Sequence, residues 1–120
     1  MANRSPVDFR EVAAALHGAV IGAHHLDLSA GRLEFSVKTT KDDAQSVTLI
    51  FAGITILNYR GGGTGASAAE IAVIGLERLG SGEPWRLYVE MRNAAELELT
   101  CRDIHFGDIQ VAGVGRSYRR

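Results

Sequence analysis

The chain holds a single cysteine, Cys101. An intrachain disulfide is therefore excluded, and so is any zinc site built on cysteines. Apolar runs that could cross a bilayer are missing, since a span needs about 18–20 consecutive apolar residues. The opening residues, Met1-Ala2-Asn3-Arg4-Ser5-Pro6, lack the apolar stretch of a secretory signal. A cytoplasmic location and no membrane partner are the expectations from these absences. Charge of one sign is scarce as well. Thirteen Lys and Arg against fourteen Asp and Glu leave a formal net charge of −1, which gives no global attraction to nucleic acid. The one local basic cluster, Arg116, Arg119 and Arg120, reads as a solvated tail over 112–120.

What is present suits one folded domain spanning 1–120. Hydrophobic residues make up 46% and charged residues 22%, a globular rather than a disordered composition. One helix is predicted over about 5–17. Ser5 is its N-cap, Pro6 sits where a missing N–H costs nothing, and Asp8 has capping-box spacing. Phe9, Val12, Ala13 and Leu16 make one apolar stripe at i, i+3, i+4 and i+7, and Gly18 supplies the stop.

From about 19 to 111 the period changes to that of strands. Leu33, Phe35 and Val37 alternate with polar residues, joined to Val20–Leu28 through a turn at Ala30-Gly31. Val47, Leu49 and Phe51 repeat the pattern after a polar loop, and Gly53 marks a bulge or bend. Ile54–Tyr59 and Ile71–Leu76 are apolar on both faces. Such strands are central, covered by the helix, or packed on a second subunit. The C-terminal hairpin carries Trp85, Leu87, Val89 and Met91 on one arm and Leu97, Leu99 and Cys101 on the other. Keeping both sets on one face requires an odd loop near Asn93. A three-residue loop sets Arg92 opposite Glu96, and a five-residue loop sets Arg92 opposite Glu98. Ile104–Val111, broken at Gly107, is the last strand.

Residue types that could do chemistry do not assemble into a motif. Gly61-Gly62-Gly63-Thr64-Gly65-Ala66-Ser67 has no lysine and leads into a β-like run, unlike a phosphate loop. It reads as a flexible connector. His24 and His25 are adjacent and diverge on a strand, one partly buried with Val20, Leu26 and Leu28, the other exposed beside Asp27. A metal site would need His17 or His105 to join them. Cys101 shares the Leu97–Leu99 face, where a thiol packs as a small apolar group. The carboxylate pairs Asp42-Asp43 and Glu96-Glu98 look solvated. No cofactor, metal or catalytic residue is expected.

Three short segments, in order, resemble a known group. Leu16-His17-Gly18-Ala19 precedes the first strand, Phe51-Ala52-Gly53-Ile54 lies mid-chain, and Cys101-Arg102-Asp103-Ile104 closes the long hairpin. The layout is similar to small bacterial β-rich proteins with a Leu-His-Asp-Ala opening, a later Phe-x-Gly-Val segment and a closing Cys-x-x-Ile. Some of these are assigned as immunity proteins of polymorphic toxin systems. Gly18 stands where the group has Asp, which removes the one polar neighbour of His17. The resemblance implies a cytosolic binding protein with no catalytic residues to carry over.

The expected fold is mainly β, an antiparallel β-sandwich or partly closed barrel with one N-terminal α-helix. The expected function is non-enzymatic binding of a protein partner, as in a toxin-immunity inhibitor. Tyr59, Arg60, Tyr88 and Arg102 are its candidate contact surface. A small-molecule-binding barrel and a small histidine enzyme are the rivals. The doubly apolar strands also point to a homodimer.

Overall fold

Asp8 caps the helix, and the reason lies in the residues beside it. In the computed structural model, which describes residues 5–39, 46–61, 69–92 and 95–120, Val7–Asp8 form a two-residue strand, β1. It pairs in parallel with Val111 and Ala112. That pairing keeps the chain extended past Ser5 and Pro6, so helix α1 spans only Phe9–Leu16. The Asp8 carboxylate accepts the Arg10 N–H at 2.8 Å and satisfies one of the free donors at the helix start. The predicted cap at Ser5 is thus displaced by three residues. The stripe is as expected: Phe9, Val12, Ala13 and Leu16 are all buried, and Gly18 turns the chain at φ 83°.

The strands that follow are β2 (Val20–Asp27), β3 (Arg32–Lys38), β4 (Ser46–Ala52) and β5 (Ile56–Arg60). Next come β6 (Ala69–Arg78), β7 (Trp85–Met91) and β8 (Glu96–Cys101). The chain ends with β9 (Asp103–Phe106), β10 (Ile109–Ala112) and β11 (Gly115–Arg119). All join in one sheet of order β1-β10-β9-β4-β3-β2-β6-β7-β8-β5, with β11 also on β6. The sheet is mixed, because β1 and β10 run parallel while the other pairs are antiparallel. Its path ends at β1 and β5, which do not pair, so no barrel closes.

Strand β6 is the junction between two arms. Its first residues pair with β2, its later ones with β11, and β7 lies along its other side. A register shift between Ile71 and Val73 inserts an extra residue, as a bulge does. Ile71, Ile74 and Leu76 consequently share the buried face. The opposite face is filled from within the chain: the Tyr118 ring of β11 lies over Gly75, where a Cβ would come within 3.2 Å of it. The segment read as a basic tail is therefore a strand. Arg116 Nε binds Glu77 Oε2 at 2.9 Å.

One core takes side chains from both arms, including Leu33, Phe35, Leu49 and Phe51 from one and Trp85, Leu87, Leu97 and Leu99 from the other. Helix α1 closes one end, with Phe9 against Trp85 at a ring separation of 5.7 Å. The β7–β8 hairpin keeps the predicted apolar face but takes neither predicted register. Met91 N–H donates to the Ala95 carbonyl at 2.9 Å, and Glu90 lies opposite Glu96. Arg92 bonds elsewhere: its guanidinium pairs with Glu70 and its N–H bonds the Glu70 carbonyl at 2.9 Å. Arg92 is directed toward β6 and lies outside the β7–β8 ladder.

Candidate functional site

The core is open beside Ile21 and Met91, near the C-terminal end of the helix. There the arms part around an apolar cleft of 370 Å³. On one side β2 and β3 contribute Ile21, His24, Leu26, Leu33 and Phe35; on the other, Leu57 and Tyr59 of β5 meet Met91 and Leu97. A bulge in β2 sets the first group. Its register shifts between Ile21 and His24, so Ile21 rather than Val20 shares the inner face with His24 and Leu26, opposite Val37, Phe35 and Leu33. The His24 ring stands 6.5 Å from that of Phe35. Both His24 and His25 are exposed, which corrects the expectation that one is partly buried.

The rim continues the apolar surface outward. Leu26 is 39%, Leu28 82% and Tyr59 62% exposed. A larger hollow of 540 Å³ crosses the outer face over Glu77, Arg86, Tyr88 and Tyr118. Arg86 and Arg116 both pair there with Glu77, while Glu98, which also lines this hollow, makes no described ion pair. The cleft is the site with unmet apolar surface.

Among the described residues, β1, β11, the later part of β2 and β5 have open edges, and the first three are guarded. β1 has only two residues. β11 carries Arg116 and Arg119. β2 loses β6 as a partner after Ile21 and is bulged there. Short length, charge and bulges are the devices that blunt an edge against further pairing. β5 is short, but it has no bulge and its charge is confined to one end. It runs Ile56-Leu57-Asn58-Tyr59-Arg60 in unbroken register along β8, with one charged residue at its end. The doubly apolar stretch, expected to be central, covered by the helix or packed on a second subunit, thus ends on an edge strand, with Ile56 54% exposed.

Backbone alternation shows which groups of β5 are free. The Met91–Ala95 bond makes 89/97 and 87/99 the hydrogen-bonded pairs of β7 and β8. Residues 96, 98 and 100 then face β5 and bond Arg60, Asn58 and Ile56. Leu57 and Tyr59 are left with N–H and C=O directed away from the sheet. These are also the residues whose side chains line the cleft.

On the outer face the rows run Glu90–Glu96–Arg60 and Tyr88–Glu98–Asn58 across β7, β8 and β5. No described ion pair engages Glu90, Glu96 or Glu98. Desolvation, followed by a hydrogen bond to Glu90 and the charges of Glu90 and Glu96, pushes the Tyr88 phenol up to about 12. A second hollow, of 270 Å³, lies here between Asn58, Tyr59, Arg60, Glu96 and Glu98.

The four contact residues chosen from the sequence do not form one surface. Tyr59 faces the cleft, Arg60 and Tyr88 lie on the outer face, and Arg102 sits beyond the far end of β8. Edge pairing and bulges, which decide these faces, leave no strong composition signal. The remaining candidates are also separated. His17 is the helix C-cap and His105 lies on β9 beside Ile50. Asp27 is engaged by the Ser29 hydroxyl at 2.8 Å and the Ala30 N–H at 3.1 Å, which hold it below the usual carboxylate range. Cys101 is fully buried, and desolvation, with Asp103 second, pushes its thiol up to about 12. No group of three or more His, Cys, Asp or Glu among the described residues could hold a metal. The Asp42-Asp43 pair and the glycine run from Gly62 onward lie outside the described residues. No described helix is long and apolar enough to cross a membrane. Neither a protein-family model nor a curated protein matches this chain.

Proposed function

We propose that this is a protein-binding domain that captures an extended segment of its partner on the edge of β5. The two arms act as the layers of a sandwich whose open end receives the partner's side chains. The single observation that carries this reading is the open β5 edge beside the apolar cleft. An added strand would satisfy the outward N–H and C=O groups of Leu57 and Tyr59, and its inward residues would fill the cleft. A small apolar molecule would fill the 370 Å³ but leave the strand edge and the exposed Leu28 and Tyr59 unmatched. An inhibitor of the immunity type, the role implied by the sequence resemblance, could hold its target this way.

The test is a titration of the 15N-labelled protein with a blocked peptide alternating leucine and threonine. Binding should slow hydrogen exchange at the Leu57 and Tyr59 amides. It should be lost in Tyr59→Pro, which deletes a free N–H without touching the β8 ladder. N-methylation of the peptide residues facing β5 should abolish binding, and methylation of the alternate ones should not. Binding that survives both changes would reassign the cleft to small apolar ligands.

A further inference from the structure

The chemistry of the captured segment can be specified further, on the premise that β5 is the docking edge. Successive side chains of an extended strand point to opposite faces. One set on the added strand therefore enters the cleft, where the lining is aliphatic and aromatic with His24 the one ionisable side chain besides the Tyr59 phenol. The other set lies over the outer face, beside Ile56, Asn58 and Arg60.

That outer face has an excess of negative charge next to β5. Glu90, Glu96 and Glu98 share the two rows that reach the edge with one basic residue, Arg60; Arg120 acts on Glu90, and Arg86 and Arg116, which share a hollow with Glu98, pair with Glu77 instead. Glu90 and Glu96 are directly opposite one another, an arrangement that costs stability in an antiparallel pair. Arg60 lies opposite Glu96 and offsets that carboxylate. Glu98 lies opposite Asn58, whose short neutral side chain offsets nothing. The 270 Å³ hollow opens at this point, bounded by Asn58, Arg60, Glu96 and Glu98.

We infer that the partner segment is alternately apolar and basic, and that one lysine or arginine enters this hollow beside Asn58 to meet Glu98. The distances suit a long side chain. Glu98 lies two strand spacings from the added backbone, about 10 Å, so a basic side chain and the Glu98 carboxylate meet over Asn58. A threonine would fall short, and a glutamate would meet a like charge. The acidic row orients the segment and selects it, while the edge and the cleft supply the pairing and the apolar contact.

Three blocked peptides test this, with leucine alternating with lysine, threonine or glutamate. Each is titrated into the full chain at low and at high salt. The lysine peptide should bind about three- to tenfold tighter than the threonine peptide, and the glutamate peptide weakest. High salt should narrow the gap. Glu98→Lys, at an exposed position, should leave the melting temperature within a few degrees and reverse the order of the lysine and glutamate peptides. Equal binding of the lysine and threonine peptides would overturn the charge inference and leave the docking edge standing. Failure of all three would overturn both. Sedimentation of the free protein closes the last alternative: a dimer dispersed by Tyr59→Pro would hand the edge to a second copy and overturn the inference.

Discussion

Replacing Phe9 by alanine should remove about 3–5 kcal/mol of stability, the usual range for a buried phenylalanine. Phe9 has no exposed surface, so its whole side chain is lost from the core. A phenylalanine buries on the order of 150–200 Å², worth about 4–5 kcal/mol at about 25 cal/mol per Å² as an upper figure. Relaxation of the walls decides how much of that is felt. One wall is the Trp85 ring at 5.7 Å, itself 1% exposed and covered by the Arg78 guanidinium at 4.4 Å. The other is backbone at Gly113, so close that a Cβ there would sit 2.7 Å from Phe9 Cδ1. A ring clamped in this way leaves a void rather than a collapsed site. Against a total of about 5–15 kcal/mol for a domain, the variant should lose at least about a fifth of its stability and, at the low end of that range, nearly all of it. Trp85 is the only tryptophan, so urea unfolding followed by its fluorescence reads the right place. Phe9→Leu, which keeps most of the volume, should cost less than about 1.5 kcal/mol. A loss below about 1 kcal/mol for the alanine variant would mean that α1 is peripheral and that Phe9 does not close the core.

Other outcomes follow from single contacts. Gly113→Ala should lower stability by about 1–3 kcal/mol, because its φ of 114° suits only glycine and the new Cβ strikes Phe9; thermal melting checks this. The Cys101 thiol should react slowly with thiol reagents at neutral pH and quickly once urea unfolds the chain, since the thiolate is the reactive form; rapid native labelling would contradict its burial. The folded thiol's pKa is raised to about 12, above the unfolded value, so its contribution is whole below about pH 9 and is lost as the pH climbs toward 12. Cys101→Ala should flatten that part of the stability curve, measured by urea unfolding across the alkaline range. Glu77→Ala should free Arg86 and Arg116 together yet cost only about 1 kcal/mol, as expected for exposed pairs; double-mutant unfolding measures the coupling.

Alternation made much of this fold legible. Trp85 to Met91 and Leu97 to Cys101 carry a period of two that fixes which face is buried, whatever the register. The helix stripe was legible for the same reason. What escaped were events that depend on a distant partner. Val7 and Asp8 become a strand only because Val111 and Ala112 lie beside them. Arg92 bonds Glu70 of another strand instead of its own ladder. The bulges of β2 and β6 each change the faces by one residue, and each needs a neighbouring strand to define it. His24 and His25 show the consequence: their divergence could be read locally, but not that Ile21 joins His24 at the cleft. Tyr59 was legible as a candidate contact, whereas its separation from Tyr88 by the thickness of a sheet was not.

The two doubly apolar segments looked alike in sequence and met different fates. Ile71–Leu76 lies inside the sheet, and Tyr118 covers the glycine on its second face. Ile54–Tyr59 runs into β5 at the rim, and no described strand covers that edge. A five-residue edge limits what can be held there. Pairing along so short a strand buries less than the roughly 1,200 Å² of a stable complex, so capture by β5 alone should be weak and fast to exchange. Long residence would require the partner to extend past the cleft onto Leu28, which is exposed two residues beyond the cleft residue Leu26. Use of Leu28 separates a transient binder from a tight inhibitor. In a transient binder, substitutions at Leu28 leave affinity unchanged; in a tight inhibitor, Leu28→Ser chiefly accelerates dissociation, because interface losses are expressed mostly in the off-rate.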